Sequence, residues 1–304
     1  MVESVCIFSS IERMLKKSYP SINESDIQML AFGIAFDSKT SRDGVVTIDV
    51  SFEKMFKNID EFLGSKSIAK KYVTIDKFYQ GISGKIGQGN VALLYLNTGK
   101  LAYHDVYINN PAAMHCITLH DIMDGECYIY DSHIRVGRSF SEYEGYIQLR
   151  QIFDTIEKVI YFEIPPLRKL NRNQIFQHYK TLLKDKQSID LLRLNYKEHL
   201  EKIIFLVYNT TDLTEVCTRL FSELNIFGPK HILINLLFFL ENPNFNISSQ
   251  LLDELDSIIN KYEALKNVIC KTGVLCDKKF FETNINSYLE IPNRISCVLE
   301  DIFN

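Results

Sequence analysis

Residues 115–131 read HCITLHDIMDGECYIYD, and this stretch determines the expected architecture of the first half of the chain. Runs rich in β-branched and aromatic residues lie on both sides of the pair Asp124-Gly125. An Asp-Gly pair between two such runs predicts a β-hairpin, because both central residues of the tight turn need positive φ. The hairpin places His115 at the start of one strand and Asp131 at the end of its antiparallel partner, so we expect the two side chains to meet.

A carboxylate beside an imidazole fixes the tautomer of the ring and stabilises its protonated form, so His115 and Asp131 form two thirds of a nucleophilic triad. Cys6 offers the missing nucleophile, since it stands just before Ile7–Lys17, whose apolar residues recur at helical spacing. At a helix N-terminus the unpaired N–H groups and the macrodipole favour a thiolate over a thiol. The other six cysteines lie in predicted strands or in apolar helical patterns, so Cys6 is the cysteine best placed for nucleophilic work.

The composition is typical of a soluble globular protein with a real core, with 46% hydrophobic and 24% charged residues among 304. A net charge of −4 does not favour nucleic acid as a partner. No signal-peptide pattern opens the chain, and the longest apolar stretch, Ile232–Leu240, is too short to span a bilayer. Seven cysteines without a Cys-x-x-Cys pair argue against a disulfide framework and a structural zinc site. We therefore expect a reduced, cytoplasmic protein that does not enter membranes.

Hydrophobic periodicity predicts mixed secondary structure before about residue 165 and helices after it. In the first part, predicted strands cover Gly44–Val50 and Val91–Leu96, and predicted helices cover Glu24–Phe32, Ser51–Leu63 and Ser65–Ile86. Ile34–Phe36 is expected to be a short strand or buried loop, and Leu101–Ile108 a strand or strand-edge loop. The helical patterns of the second part are Gln174–Leu183, Leu191–Val207, Asp212–Leu224, His231–Leu240, Ser249–Cys270 and Lys278 to the end. With Pro165-Pro166 as the boundary signal, the sequence predicts an α+β fold, with a first domain over 1–164 and an all-helical domain over 165–304.

Three other histidines near the hairpin are alternatives to His115 as a catalytic base. His104 lacks a following strand that ends in Asp, so a structural role near the site suits it better. His120 lies five residues along the same strand and is expected to face the opposite way. His133 follows the second strand instead of opening one.

The hairpin also holds residues that could in principle bind a metal ion, namely His120, Asp121 and Asp124. Their spacing matches no known metal site, and turn chemistry explains Asp124 better. We therefore predict no metal.

Residues 1 to about 140 resemble the N-terminal domain of the acyltransferase family typified by the butirosin biosynthesis enzyme, which shares a papain-like core with bacteriocin-processing cysteine peptidases. The chain is also similar to the amide-forming cysteine protease homologues of thioamide antibiotic assembly. The matching features are Cys6 followed by Ser9 and a helix, the run Ala31–Phe36, the run Leu101–His104 after an apolar strand, His115 opening a strand, and Asp131 ending the next strand.

The resemblance implies a papain-like core in which the N-terminal helix packs on an antiparallel sheet. It implies that Cys6 is acylated, that His115 is its base and that Asp131 orients His115. The acyl donor would be a thioester on the phosphopantetheine arm of a carrier protein, with no other cofactor. A small amine or diamine would accept the acyl group, which gives an amide in natural-product biosynthesis.

One feature departs from the wider papain pattern, in which a Gln several residues upstream of the Cys helps to hold the oxyanion. Only five residues precede Cys6 here, and none of them is Gln. The backbone N–H of Cys6 remains one candidate oxyanion donor, with Asn109 or Asn110 as candidates for the second.

The same triad would also serve other functions. A thioesterase or macrocyclase would differ only in the nucleophile that ends the reaction, and a cysteine peptidase would cleave a peptide. A catalytically silent papain-like binding module is a further alternative, although the complete set of Cys6, His115 and Asp131 argues against it.

Overall fold

The computed structural model describes residues 6–31, 37–40, 46–49, 51–109, 114–136, 139–165, 170–183 and 186–303. Its strands are β1 Asp37–Thr40, β2 Val46–Asp49, β3 Lys66–Lys70, β4 Ala92–Asn97, β5 Met114–Met123, β6 Glu126–Val136, β7 Ser139–Gln148 and β8 Ile156–Glu163. Its α-helices are α1 Cys6–Lys16, α2 Glu24–Leu30, α3 Phe52–Leu63, α4 Ile75–Gly87, α5 Asp105–Asn109, α6 Leu149–Ile152, α7 Arg172–Leu183, α8 Lys186–Asn209, α9 Leu213–Phe227, α10 Pro229–Leu240, α11 Ser249–Leu275, α12 Lys278–Ile285 and α13 Ile291–Phe303. The predicted short strand or loop at Ile34–Phe36 lies outside the described residues.

The described chain is α+β and separates into two compact units. One unit, here called the sheet unit, comprises residues Cys6–Ile27 and Ile59–Leu170. The other, called the helical unit, comprises the described parts of Gln28–Asn58 and of Asn171–Asn304. All three candidate triad residues belong to the sheet unit.

The sheet unit is built on a six-stranded antiparallel sheet with the strand order β3-β8-β4-β5-β6-β7. The predicted hairpin is confirmed as β5 and β6, whose closing residues Met123 and Glu126 pair with each other. Asp124 and Gly125 form the turn with φ of 51° and 81°, the left-handed values that a two-residue hairpin turn requires. The local Asp-Gly signal therefore determined the position of this hairpin and the pairing next to its turn, while a β-bulge between Leu119 and Asp121 shifts the register further along the strands.

The core of the sheet unit forms between the sheet and α4. The helix contributes Phe78, Ile82 and Ile86, which pack with apolar side chains of β4, β5, β6 and β8. Thr74 caps the helix by accepting a hydrogen bond from the backbone N–H of Lys77. The predicted single helix over Ser65–Ile86 is wrong in its first third, since Lys66–Lys70 is strand β3. That segment becomes extended because it pairs with β8, a long-range contact that helical propensity does not report.

The predicted strand or strand-edge loop at Leu101–Ile108 is wrong from Asp105 onwards, because Asp105–Asn109 forms the short helix α5. The Nδ1 atom of His104 accepts a hydrogen bond from the backbone N–H of Val106 at 3.2 Å, and the carbonyl of His104 accepts from Tyr107. These bonds provide partners at the start of the helix, where backbone N–H groups lack intrahelical acceptors. The turn at His104 thus converts an apparent alternation into a helical segment.

Helix α1 packs against the central strands β4, β5 and β6 of the sheet. Its apolar face, predicted from the spacing after Cys6, is buried at Ile7, Phe8, Ile11, Met14 and Leu15. The arrangement of an N-terminal helix on an antiparallel sheet is therefore present in the sheet unit.

In the helical unit, the predicted helical segments after residue 165 are confirmed as α7 to α11, each with somewhat different ends. The last predicted segment, from Lys278 onwards, is two helices, α12 and α13. Helix α11 packs against α9, α10 and α13, and the two-stranded sheet β1-β2 packs against α8 and α9. Within the described part of the chain, no helix has both the length and the apolar character needed to cross a bilayer.

Candidate active site

Cys6 is the first residue of α1, the position predicted from the sequence. Two serines of α1 form hydrogen bonds with the strands that carry the other two candidate residues. Ser10 Oγ donates to the carbonyl of Cys116 on β5 at 3.4 Å, and Ser9 Oγ lies 3.0 Å from Ser132 Oγ on β6. Since Ser132 follows Asp131 and Cys116 follows His115, these bonds position Cys6 against the residues of the predicted triad.

His115 and Asp131 meet as the hairpin predicted. His115 Nε2 lies 2.7 Å from Asp131 Oδ1, and both side chains are buried, with 9% exposure for His115 and none for Asp131. The side chain of Cys6 interacts with the His115 ring and contributes to the raised pKa of the imidazole. Because Nε2 is occupied by Asp131, Nδ1 is the ring atom available to Cys6. The structure thus brings all three predicted residues together in the order Cys6, His115, Asp131.

The charge on Asp131 determines the protonation of His115. Burial by itself would lower the pKa of the imidazole. The negative charge and the hydrogen bond of Asp131, together with the Cys6 contact, outweigh burial and raise the pKa of His115 from 6.5 to about 10. His115 is therefore an imidazolium at neutral pH, and its positive charge stabilises a neighbouring thiolate at Cys6.

Asp131 is itself held in its ionised form although it is fully buried. Burial tends to raise the pKa of the carboxyl, but the charge and hydrogen bond of His115 and two tyrosine hydroxyls lower it below the usual value. Tyr103 donates to Asp131 Oδ2 at 2.8 Å, and Tyr107 donates to the same oxygen at 2.5 Å. The sequence did not predict these tyrosines, although Tyr103 lies within the run Leu101–His104 that carries part of the family resemblance.

A second thiol, that of Cys116, lies in hydrogen-bond contact with Cys6. Burial, followed by the contact with Cys6, raises the pKa of Cys116 well above its usual value. Cys116 therefore stays protonated beside the Cys6 side chain. The sequence placed Cys116 only as a strand residue, and its proximity to Cys6 follows from the packing of α1 on β5.

The alternative bases of the hairpin region have other partners. His104 accepts from the backbone of Val106 and belongs to the start of α5. His120 Nε2 lies 2.8 Å from Thr118 Oγ1, and burial followed by the charge of Arg13 lowers the pKa of His120. The side chain of His133, like Asn110 and the side chain of Asn109, lies outside the described residues, so the candidate second oxyanion donors stay predictions.

The residues weighed as metal ligands do not converge. Asp121 accepts from the backbone N–H of Ile122 and from the hydroxyl of Tyr146, and Asp124 forms the hairpin turn. Across the described ranges, no group of three or more His, Cys, Asp or Glu side chains is arranged to hold a metal ion.

A thiol, an imidazolium and a buried carboxylate in this order can carry out nucleophilic acyl chemistry. No known protein family model matches this chain, and no curated protein matches it. The function must therefore be inferred from the site.

Proposed function

We propose that the chain is a cysteine acyltransferase in which Cys6 takes an acyl group from a thioester and passes it to an amine. The observation that carries this proposal is the buried contact between His115 Nε2 and Asp131 Oδ1 at 2.7 Å, with Cys6 contributing to the raised pKa of the same imidazole. Such a chain fixes the ring orientation and keeps a proton on it, so that a thiolate is available at Cys6 without any external base.

The proposed first half-reaction forms an acyl-enzyme. The Cys6 thiolate attacks the thioester carbonyl, and the tetrahedral intermediate collapses by breaking the bond to the leaving thiol. The imidazolium of His115 gives its proton to that thiol as it departs. Cys6 is the first residue of an eleven-residue helix, so the helix N–H groups and macrodipole face the developing oxyanion.

In the second half-reaction the amine attacks the acyl-Cys6 carbonyl, and neutral His115 accepts the proton that the amine loses. Collapse of the intermediate releases the amide and restores the Cys6 thiolate beside the His115 imidazolium. Because a thioester is already activated, the transfer needs no nucleotide and no metal ion. General acid–base help of this kind typically contributes about 10²–10⁴-fold to the rate.

The donor and acceptor classes come from the family resemblance, together with the proposal that the sheet unit has a papain-like core. In that fold, too, the nucleophile begins a helix that packs on an antiparallel sheet. The resemblance supports a donor on the phosphopantetheine arm of a carrier protein and a small amine or diamine as acceptor. The product would be an amide of a natural-product pathway.

The test is the intact mass of the protein after incubation with an acyl-pantetheine thioester, for the wild type, Cys6→Ala and Cys297→Ala. Cys297 is an exposed cysteine of α13 in the helical unit, so Cys297→Ala controls for labelling at the surface. We expect one acyl mass on the wild type and on Cys297→Ala and none on Cys6→Ala. Adding a panel of amines should then discharge the acyl group into an amide.

Other outcomes would overturn parts of this proposal. Discharge by water without amide formation would indicate a thioesterase. The absence of any adduct, combined with cleavage of peptide substrates, would indicate a peptidase. Equal labelling of the wild type and of Cys6→Ala would remove Cys6 as the nucleophile.

A further inference from the structure

Two phenol hydroxyls converge on the one oxygen of Asp131 that does not face His115. Tyr103 and Tyr107 donate to Oδ2 at 2.8 and 2.5 Å, while Oδ1 faces His115 at 2.7 Å. We propose that Tyr103 and Tyr107 are positioning residues that hold Asp131 ionised and aimed at His115, and that they thereby keep Cys6 reactive. The inference rests on the proposed role of Cys6 as the nucleophile.

Burial explains why Asp131 needs these donors. Its side chain is fully buried, and an ionised carboxylate in such a place is costly unless it is paired and hydrogen-bonded. One imidazolium partner satisfies one oxygen. The second oxygen would lose both hydroxyl donors if the two tyrosines were replaced by Phe, and the carboxyl would then take up a proton more readily.

Both tyrosines are placed to act as permanent donors. Burial, followed by the charge of Asp131, raises the pKa of Tyr103 and of Tyr107 far above the usual value of 10.0, so both hydroxyls keep their protons. Their rings pack edge to face with centroids 5.4 Å apart, and the Tyr107 ring lies 6.0 Å from the His115 ring. The tyrosines are therefore held by packing, as well as by their hydrogen bonds.

The chain offers a matched control in the same aromatic group. The Tyr143 ring on β7 lies 4.9 Å from the Tyr103 ring, but its hydroxyl donates to the carbonyl of Tyr146 and not to Asp131. Tyr143→Phe therefore removes one hydroxyl from this aromatic cluster without removing a donor to Asp131.

Few ionisable groups surround the carboxylate in the described part of the sheet unit. The groups that act on Asp131 include His115 on β5 and the two tyrosines next to or within α5. Cys6 on α1 acts on His115, and Cys116 on β5 experiences both Cys6 and Asp131. A change in the protonation of Asp131 therefore reaches Cys6 through His115, and Cys116 and Tyr107 also interact with both residues.

The experiment compares Tyr103→Phe, Tyr107→Phe, the double variant and Tyr143→Phe with the wild type. The protonation of Asp131 is followed by ¹³C NMR of labelled aspartate carboxyls over a pH series, with Asp131→Asn used to assign the resonance. In parallel, the pH dependence of Cys6 alkylation by iodoacetamide is read from the mass of the Cys6 peptide. The loss of one hydrogen bond to a charged group changes the pKa of that group by about one to two pH units. We therefore expect each single variant to raise the midpoint of the Asp131 titration by that amount.

The double variant should move the midpoint further, and the pH below which Cys6 loses reactivity should rise with it. Tyr143→Phe should leave both quantities where the wild type has them. If a Phe variant does not fold, 3-fluorotyrosine incorporated throughout the chain gives stronger donors, and the midpoint should then move downward. An Asp131 midpoint that stays in place in folded Tyr103→Phe and Tyr107→Phe would overturn the inference, as would a moved midpoint with unchanged Cys6 reactivity.

Neither readout needs an acyl donor, so the two proposals can fail separately. A shifted Asp131 midpoint with no acyl-Cys6 in any thioester experiment would leave the tyrosine pair in place and reject the acyltransferase. Acyl transfer that is unaffected in all Phe variants across the pH range would reject the role of the tyrosine pair and leave the acyltransferase in place.

Discussion

Replacing Asp131 with Asn tests the central electrostatic feature of the site, the charge that keeps His115 protonated. Raising the pKa of His115 from 6.5 to about 10 corresponds to roughly 5 kcal/mol of preference for the imidazolium. That figure is a net value, because burial lowers the pKa of His115 while Asp131 and Cys6 raise it, and the Asn side chain still accepts a hydrogen bond from the ring. Breaking a buried ion pair typically costs about 3–5 kcal/mol, and we expect a loss of about 3 kcal/mol at pH 6.

The loss should depend on pH in a defined direction. A group whose pKa is raised on folding contributes its full stability below its unfolded pKa and loses that contribution as the pH rises through its folded pKa. For His115 the contribution is complete below about pH 6.5 and is lost as the pH rises through about 10. The pKa of Asp131 is lowered on folding, so its contribution is present above its unfolded value and is lost only in acid. The difference between the wild type and Asp131→Asn should therefore be largest near pH 6 and become smaller above pH 10, where His115 is neutral.

The assay must report on the sheet unit alone, because the chain has two compact units and its unfolding need not be two-state. Cys127 is suitable, since it is fully buried on β6 and becomes accessible only when the sheet opens. The protein is equilibrated in urea at pH 6 or above pH 10, pulsed with a thiol reagent, and analysed by the mass of the Cys127 peptide. Asp124→Asn is the control, because Asn also tolerates the positive φ of the exposed turn residue. An equal loss for Asp131→Asn at both pH values would refute the reasoning.

Three further predictions use the same kind of measurement. With iodoacetamide at neutral pH, Cys6 should be labelled well before Cys116 and Cys127. An imidazolium faces Cys6, whereas burial raises the pKa of the other two thiols. Labelling of Cys116 first would contradict the site geometry. Gly125→Ala should lower the free energy of unfolding of the sheet unit by about 1–2 kcal/mol, because the φ of Gly125 is 81° and nothing lies within 4 Å of an added Cβ. Gly84→Ala in the helix α4 should raise the same free energy by about 0.5–1 kcal/mol. The reverse order would reject the turn assignment. Gln28→Ala should destabilise the helical unit by about 2–4 kcal/mol, because Gln28 donates to the carbonyl of Ile232 at 2.7 Å and accepts from Asn235 at 3.1 Å. Pulse labelling of the buried Cys217 measures this loss. A loss under about 1 kcal/mol would show that these groups find other partners.

The sequence predicted those elements whose cause is local. The Asp124-Gly125 pair determines a turn by backbone sterics alone, and the apolar spacing after Cys6 determines α1. The meeting of His115 and Asp131 also depends on the β-bulge between Leu119 and Asp121, which shifts the register by one residue and brings the two side chains to the same face of the sheet. The long helices of the second half were predicted for the same reason, since each carries its periodic apolar pattern within itself. The catalytic roles of Cys6, His115 and Asp131 stay predictions that the thioester experiment tests.

The sequence did not determine the features that arise from pairing between distant residues. Lys66–Lys70 is a strand because it adds to the edge of β8 almost a hundred residues later, and residues Leu101–Ile108 include a helix because the turn at His104 supplies its first hydrogen bonds. The two tyrosine donors to Asp131 and the Cys116 thiol beside Cys6 follow from how α5 and α1 pack on the sheet. A local sequence pattern determines φ and ψ. Which buried groups share a proton depends on tertiary packing, because the free energy of pairing these groups arises only when the distant side chains leave water together.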